Sequence, residues 1–381
     1  MTKAVKNSDP DSAIKLFMCG DVMTGRGIDQ ILPHPSDPLI HEPYLKSAKA
    51  YVRLAEEKNG LIPKPVDFPY IWGDSVNQLD RMAPDVRIIN LETSVTKSEE
   101  YWKGKEIHYR MNPENIECIT AAKISCCSLA NNHVLDWGYS GLTETLETLE
   151  KANIKSSGAG ENIEEAELPA VLEVGEKGRV IVFSFGSITS GIPSNWAASE
   201  NRAGVDLLSD LSEQAIRDIK NRVEAVKGER DIVVASIHWG ANWGYDISLE
   251  LQEFAHKLVS DAGVDIIHGH SSHHVKGIEV YRNKLILYGC GDFLNDYEGI
   301  GGFELFRSDL CLMYFANVEA ATGRLLSLEM MPMQIRRLRV NEVSGKDALW
   351  LKENLENQEK EFGCGVELWE DNTLSLLWSR R

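Results

Sequence analysis

Five short blocks of metal-ligand residues, each closing an apolar run, constrain this chain more than any other feature. They read Cys19-Gly-Asp21-Val-Met23, Asn90-Leu-Glu92-Thr, Asn131-Asn132-His133, His238-Trp-Gly240 and Gly269-His270-Ser-Ser-His273-His274. The runs before them, at 14–18, 86–89, 124–130, 232–237 and 264–267, have the length and branching of strands. Ligands at the C-terminal ends of several strands converge on one rim of an α/β sheet, where ligand sites sit. Carboxylate and amide oxygens mixed with imidazole suit a hard-to-borderline divalent cation such as Mn, Fe or Zn. One block alone would signify a packed core histidine or a turn; the ordered set signifies a site.

Between the blocks the pattern alternates. Helices are expected at 25–32, 44–59, 75–82, 113–122, 141–152, 211–227 and 249–262, and further strands at 170–174, 179–184, 280–281, 285–288 and 310–318. Such alternation, with hairpins near the end, predicts an α/β fold of mixed sheets covered by helices. Prolines 33, 35, 38, 43, 63, 65 and 69 mark 33–70 as an excursion over the sheet, either a lid or a brace. The domain is expected to span 14–335, followed by an acidic helical extension, 336–381, whose helix at 346–361 lies on the surface.

Composition excludes several classes. A net charge of −18 without a Lys/Arg block argues against nucleic acid as partner. No apolar run reaches the roughly 20 residues of a membrane helix, and residues 1–12 lack a secretory apolar stretch. A soluble, cytoplasmic chain without a membrane segment is expected. Seven scattered cysteines with no C-x-x-C read as reduced, buried thiols, Cys19 and Cys290 included.

The block order resembles that of the calcineurin-like metallophosphoesterases, which run Asp-x-His, Gly-Asp, Asn-His, His and Gly-His-x-His. Closer still, the chain is similar to the CapA-type poly-γ-glutamate capsule synthesis family over about residues 14–335. The matching motifs are Gly20-Asp21-Val-Met-Thr-Gly-Arg26, Asn90-Leu-Glu92-Thr, Leu129-Ala-Asn-Asn-His133-Val-Leu-Asp136-Trp-Gly138, His238-Trp-Gly, Gly269-His270-Ser-Ser-His273, Gly277-Ile-Glu-Val-Tyr281 and Tyr288-Gly-Cys-Gly-Asp-Phe293. The resemblance implies a four-layer αββα sandwich with Glu92 bridging two metals. A first metal would add Asp21 and His273, and a second Asn132, His238 and His270. Met23 stands where an imidazole is usual, and the last block reads His-x-x-His, so His274 rivals His273. One ion firmly held, with the other weak or absent, is the expectation.

His133 matches the position that protonates a leaving group or steadies the transition state, and metal-activated water would be the nucleophile. Asp136 is expected to cap the following helix rather than orient His133. Asp292 is a candidate general base or a turn residue. Arg26, beyond a helix N-terminus, and Arg110 are candidates to bind an anionic small molecule or peptide. Trp243 could wall the pocket, while Trp239 packs the core. His256, Asn131 and Glu279 read as fold supports. The leading expectation is a metal-dependent hydrolase of a phosphoester or a γ-glutamyl or related amide. Alternatives are an accessory protein of poly-γ-glutamate synthesis and a peptide Cα epimerase.

Overall fold

Successive side chains of a strand point to opposite faces, and the first strand, Ala13–Val22, shows where each face goes. Phe17 and Cys19 enter one apolar cluster, while Ile14, Leu16 and Met18 enter another. Both faces are covered beyond Lys15, so the strand reads as a continuous apolar run from Leu16 to Cys19. The computed structural model describes residues 13–359 and 362–379 and is a mixed α/β fold. The polar segment 1–12 and the expected helix end at Glu361 lie outside the described residues.

Ten strands form the first sheet. Its main path runs Cys364–Leu368, Leu374–Trp378, Arg324–Ile335, Leu310–Glu319, Ala13–Val22, Val86–Leu91, Cys126–Ser128, Lys155–Ser157. The last four are parallel, and the rest pair antiparallel. The short strand Asp292–Leu294 pairs beside Ala13–Val22, off this path. The second sheet has seven strands, with Leu207–Leu208, Arg179–Ser187, Asp231–His238, Ile266–His270 and Lys284–Leu287 parallel, and Ile278–Tyr281 and Ala170–Glu173 antiparallel.

Facing residues of the two sheets share one cluster, in which Leu16 and Ile88 meet Val182, Val234 and Ile266. The other face of the first sheet packs on Lys49–Asn59, Ser75–Met82 and Gly138–Lys151 through Val52, Ala55, Leu79, Leu142 and Leu149. The other face of the second packs on Glu213–Val226 and Leu249–Ser260 through Ile216, Ile219, Phe254 and Leu258. Ser212 and Ser248 cap those two helices, each accepting a backbone N–H at 3.3 Å, which is why they start there. The parallel strands of both sheets bring their C-terminal ends together.

Three expectations change. The helix at 25–32 does not form; Arg26 adopts φ +48° and only the short 3-10 turn Asp29–Ile31 follows. The Pro-rich excursion is braced into the core by Ile62, Val66, Ile71 and Trp72, although Tyr44, Lys58 and Asn59 also line a cleft. The expected surface helix, Gly345–Glu359, buries Ala348, Leu351 and Leu355, an i, i+3, i+7 stripe, and two further strands after it extend the first sheet.

Candidate metal centre

Asp21 lies one residue from the C-terminal end of the first strand and is fully buried. One oxygen accepts the Asn90 side-chain amide at 2.7 Å, the other the Ser271 backbone N–H at 3.2 Å. Asn90 also donates to Glu92 Oε2 at 3.2 Å and accepts from Asn131 at 3.0 Å, so one amide fixes two carboxylates and the third block. Burial, then the charge of Asp292, pushes the Asp21 carboxyl up to about 7. Burial and Asp21 drive that of Glu92 well above the usual range. Asp21 presents ligand atoms in two groups, each spanning no more than 4.8 Å, one with His238 and His270, the other with His273 and Asp292.

The histidine side of the site is set by a chain of hydrogen bonds whose directions follow from their partners. His268 Nε2 lies 2.7 Å from the Cys19 carbonyl, which can only accept, so that nitrogen carries the proton. Burial lowers His268 to about 4, so its ring is neutral and Nδ1 accepts from Ser236 Oγ at 3.0 Å. Ser236 then accepts from His270 Nε2 at 3.0 Å. His270 Nδ1 is left as a bare lone pair, 3.8 Å from Asp21 and 2.8 Å from His238 Nδ1.

Neutral His238, held well below its ordinary pKa by burial and the neighbouring His133, has one proton for two acceptors, His270 Nδ1 and, at 3.1 Å, Asn132 Oδ1. With Asn132 presenting Oδ1, one contact would set lone pair against lone pair, a mismatch that either a turned Asn132 amide or a bound cation would relieve. A neutral imidazole pair, an amide oxygen and a buried carboxylate also make a chemically suitable set for a borderline divalent ion.

His133 Nδ1 sits 2.6 Å from Asp136, and its Nε2 points toward Glu92 at 3.7 Å. Asp136 thus orients His133; it makes no cap contact to the helix Gly138–Lys151, its oxygens being taken by His133, the Tyr109 backbone N–H and half-buried Lys105. Lys105 also bonds the Asn132 carbonyl and lies 2.9 Å from His133 Nδ1. The shorter carboxylate contact assigns the ring proton to Nδ1 and leaves Nε2 free to accept. Burial, then the Lys105 charge, holds His133 well below its ordinary pKa, while burial raises Asp136 to about 6 against the pull of Lys105.

A cleft of about 560 Å³ opens beside this centre. Trp243 lines it, stacked on Phe303 at 3.9 Å and tilted over His273 at 5.2 Å. Lys58 and Arg336 also line it, with no ion pair among the described residues. Of the two arginines expected to bind substrate, Arg26 lines this cleft and Arg110 does not, and both guanidinium groups are held within the fold. Arg26 is neutralised by Asp296 and Glu42 and stacks on Tyr51, because its left-handed backbone turns it into that wall. Arg110 donates to the Ser98 and Asp37 carbonyls over the Trp137 ring, tying loops together.

His273 Nδ1 meets Asp292 at 2.8 Å, whereas His274 bonds the Val275 carbonyl at 3.2 Å, stacks on Phe306, and joins neither ligand group. Burial lowers His273, but the Asp292 charge outweighs it and the net shift is upward. His256 pairs with Glu279 at 2.9 Å, away from the site, and Trp239 donates to the Tyr288 carbonyl from the core. Lys105, Ser236, His268 and Asn295 were absent from the sequence candidates. Each lies outside or at the margin of a block, and only Ser236 and His268 carried a signal, being polar residues inside apolar strands.

The family model described as "Bacterial capsule synthesis protein PGA_cap" matches residues 15–297. A "Probable polyglutamine synthesis accessory protein" of Mycobacterium tuberculosis is 46% identical over 370 residues, 97% of each chain. The "PGA biosynthesis protein CapA" of Bacillus subtilis is 30% identical over 65% of this chain and 60% of its own length. The "Capsule biosynthesis protein CapA" of Bacillus anthracis is 29% identical over 74% of this chain and 60% of that one. Among the described residues no helix is long and apolar enough to cross a membrane.

Proposed function

The chain belongs to the bacterial capsule synthesis family PGA_cap, and from that premise we propose that it is a divalent-metal-dependent hydrolase linked to poly-γ-glutamate metabolism. Its substrate would be an anionic phosphoester, or a γ-glutamyl or related peptide amide. The fold would be the four-layer sandwich, with the centre at the rim between its sheets. One observation carries the reading. Asp21, His238 and His270 converge within 4.8 Å, with Asn132 against His238, a cluster of carboxylate, amide and neutral imidazole donors that suits a divalent cation.

Asp21, Glu92, Asn132, His238, His270 and His273 would hold the metal, Mn, Fe or Zn. When bound, the ion polarises the scissile group's oxygen and lowers the proton affinity of a water nucleophile. His133 supplies the proton handling. Its Nδ1–H is pinned by Asp136, so Nε2 accepts a proton and returns it to the departing oxygen or nitrogen. Lys105 keeps Asp136 anionic and in place. Trp243 and Phe303 offer a flat apolar wall, and Lys58 and Arg336 local positive charge for an anionic chain in an otherwise acidic protein.

The test is hydrolysis of a generic phosphodiester and of γ-glutamyl peptides by the protein loaded with Mn, Fe or Zn. His133→Ala should retain its metal and lose about 10²–10⁴-fold in kcat. No metal-stimulated turnover of either substrate class would sink the hydrolase reading.

A second reading is an accessory, non-catalytic role, supported by the printed name of the Mycobacterium tuberculosis relative. Polymer production in a host lacking the gene decides between them: rescue by His133→Ala as good as by wild type favours the accessory role.

A further inference from the structure

Resting on the metal-dependent reading above, we propose that Asp292 is a ligand of the first metal, replacing the imidazole that Met23 does not supply. The resemblance would put an imidazole where Met23 stands, and the structure brings a carboxylate beside Asp21 from another strand. Asp292–Leu294 runs parallel to Ala13–Val22 with Asp292 in register with Asp21, and the Asp21 N–H donates to the Gly291 carbonyl at 2.9 Å. Asp21, His273 and Asp292 present ligand atoms within 4.8 Å of one another.

Three further observations point the same way. The Asn295 amide donates to Asp292 Oδ2 at 2.7 Å, aiming the carboxylate as an outer partner aims a ligand. Met23 is buried with its sulfur 3.5 Å from the Tyr297 hydroxyl, outside both ligand groups. Asp21, Glu92 and Asp292 are all buried, and among the described residues their ion-pair partners are histidines only, with Lys105 acting on Glu92 from a longer range. Buried charge of one sign is stable only when compensated. A divalent cation held by two of the carboxylates does that, and oxygen ligands with one imidazole suit Mn or Fe. The centre then holds two ions rather than one.

The competing role for Asp292 is to orient His273 through their 2.8 Å contact. The experiment compares wild type, Asp292→Asn and the double variant Asp292→Asn with Met23→His, each loaded with Mn²⁺, desalted and assayed for bound metal by mass spectrometry. Expected are about two equivalents in wild type, one in Asp292→Asn, and two again once Met23→His restores a ligand to the first block. Equal stoichiometry and affinity, within about twofold, in wild type and Asp292→Asn would overturn the assignment. Loss without restoration by Met23→His would assign Asp292 to orienting His273, overturning it as well.

Wild type that binds no metal fails the metal-dependent reading itself, a different result from wild type that binds and is unaffected by Asp292→Asn. Should the variants not fold, electron paramagnetic resonance of Mn²⁺-saturated wild type decides. A coupled two-ion spectrum supports the proposal, and an isolated-ion spectrum overturns it.

Discussion

The two sides of the centre are built on opposite electrostatic principles. On the second sheet, His238 and His270 end adjacent parallel strands in direct register, both neutral, with His270 aimed by the relay from Cys19 through His268 and Ser236. That side is preorganised: its imidazoles are neutral and held by adjacent strands in register, so orienting them would cost little on binding an ion. On the first sheet, Asp21, Glu92 and Asp292 crowd three carboxyl groups into a buried space, hydrogen-bonded by amides and an imidazole. That side is poised instead of settled, and it depends on a cation or on protons for its stability. A site of this kind couples binding to stability through its acidic half and sets geometry through its histidine half.

The comparison can be broken most directly at His238. His238→Ala should weaken metal binding by more than about 100-fold, beyond the range typical of outer-sphere changes, read by metal titration. Binding unchanged within a few-fold would place the ion elsewhere. Next in size is the effect of charge. In the presence of a chelator, Asp21→Asn should raise the melting temperature by about 4 °C for each kcal/mol of relieved repulsion, or somewhat less for a chain this long. His238→Ala should give no such gain. With metal present at about 100 times Kd, wild type should recover about 2.7 kcal/mol, which Asp21→Asn should largely lack. A fall in melting temperature for chelated Asp21→Asn would show that the acidic side is not strained.

Smaller effects separate orientation from ligation. Asp136→Asn should leave metal content intact while lowering kcat about 10–100-fold, because His133 loses the acceptor that fixes its tautomer. Loss of metal along with activity would mean the change had spread beyond His133. Ser236→Ala should weaken metal binding about tenfold, the low end expected for an outer partner, by freeing the proton position of His270. The smallest expected change is Trp243→Ala, which should raise KM by a few-fold with kcat and metal content preserved. An unchanged KM would remove Trp243 from the substrate wall.

Much of this was legible without a structure because metal ligands at strand ends travel with the strand that presents them. Asp21, His238 and His270 each follow an apolar run whose register is dictated locally by burial on both faces, so the block announces the position. The helix expected at 25–32 failed for the opposite reason: Gly25-Arg26-Gly27 carries no cap and no apolar stripe, and Arg26 turned left-handed to reach Asp296, 270 residues on. The role of Asp136 was similarly hidden, since its choice between capping a helix and holding His133 depended on Lys105, a residue in no block.

The amino-acid sequence by itself determined the fold class, the family and the identity of the blocks at the rim, because hydrophobic periodicity and short motifs are local properties of a chain. Only the tertiary structure decided which side chains meet across that rim. Pairing of the Asp292 strand with the first strand, the relay through Ser236, and the cleft walled by Trp243 and Phe303 all join residues far apart in the chain. Such contacts are set by sheet order and packing, and neither is written in any single stretch of residues.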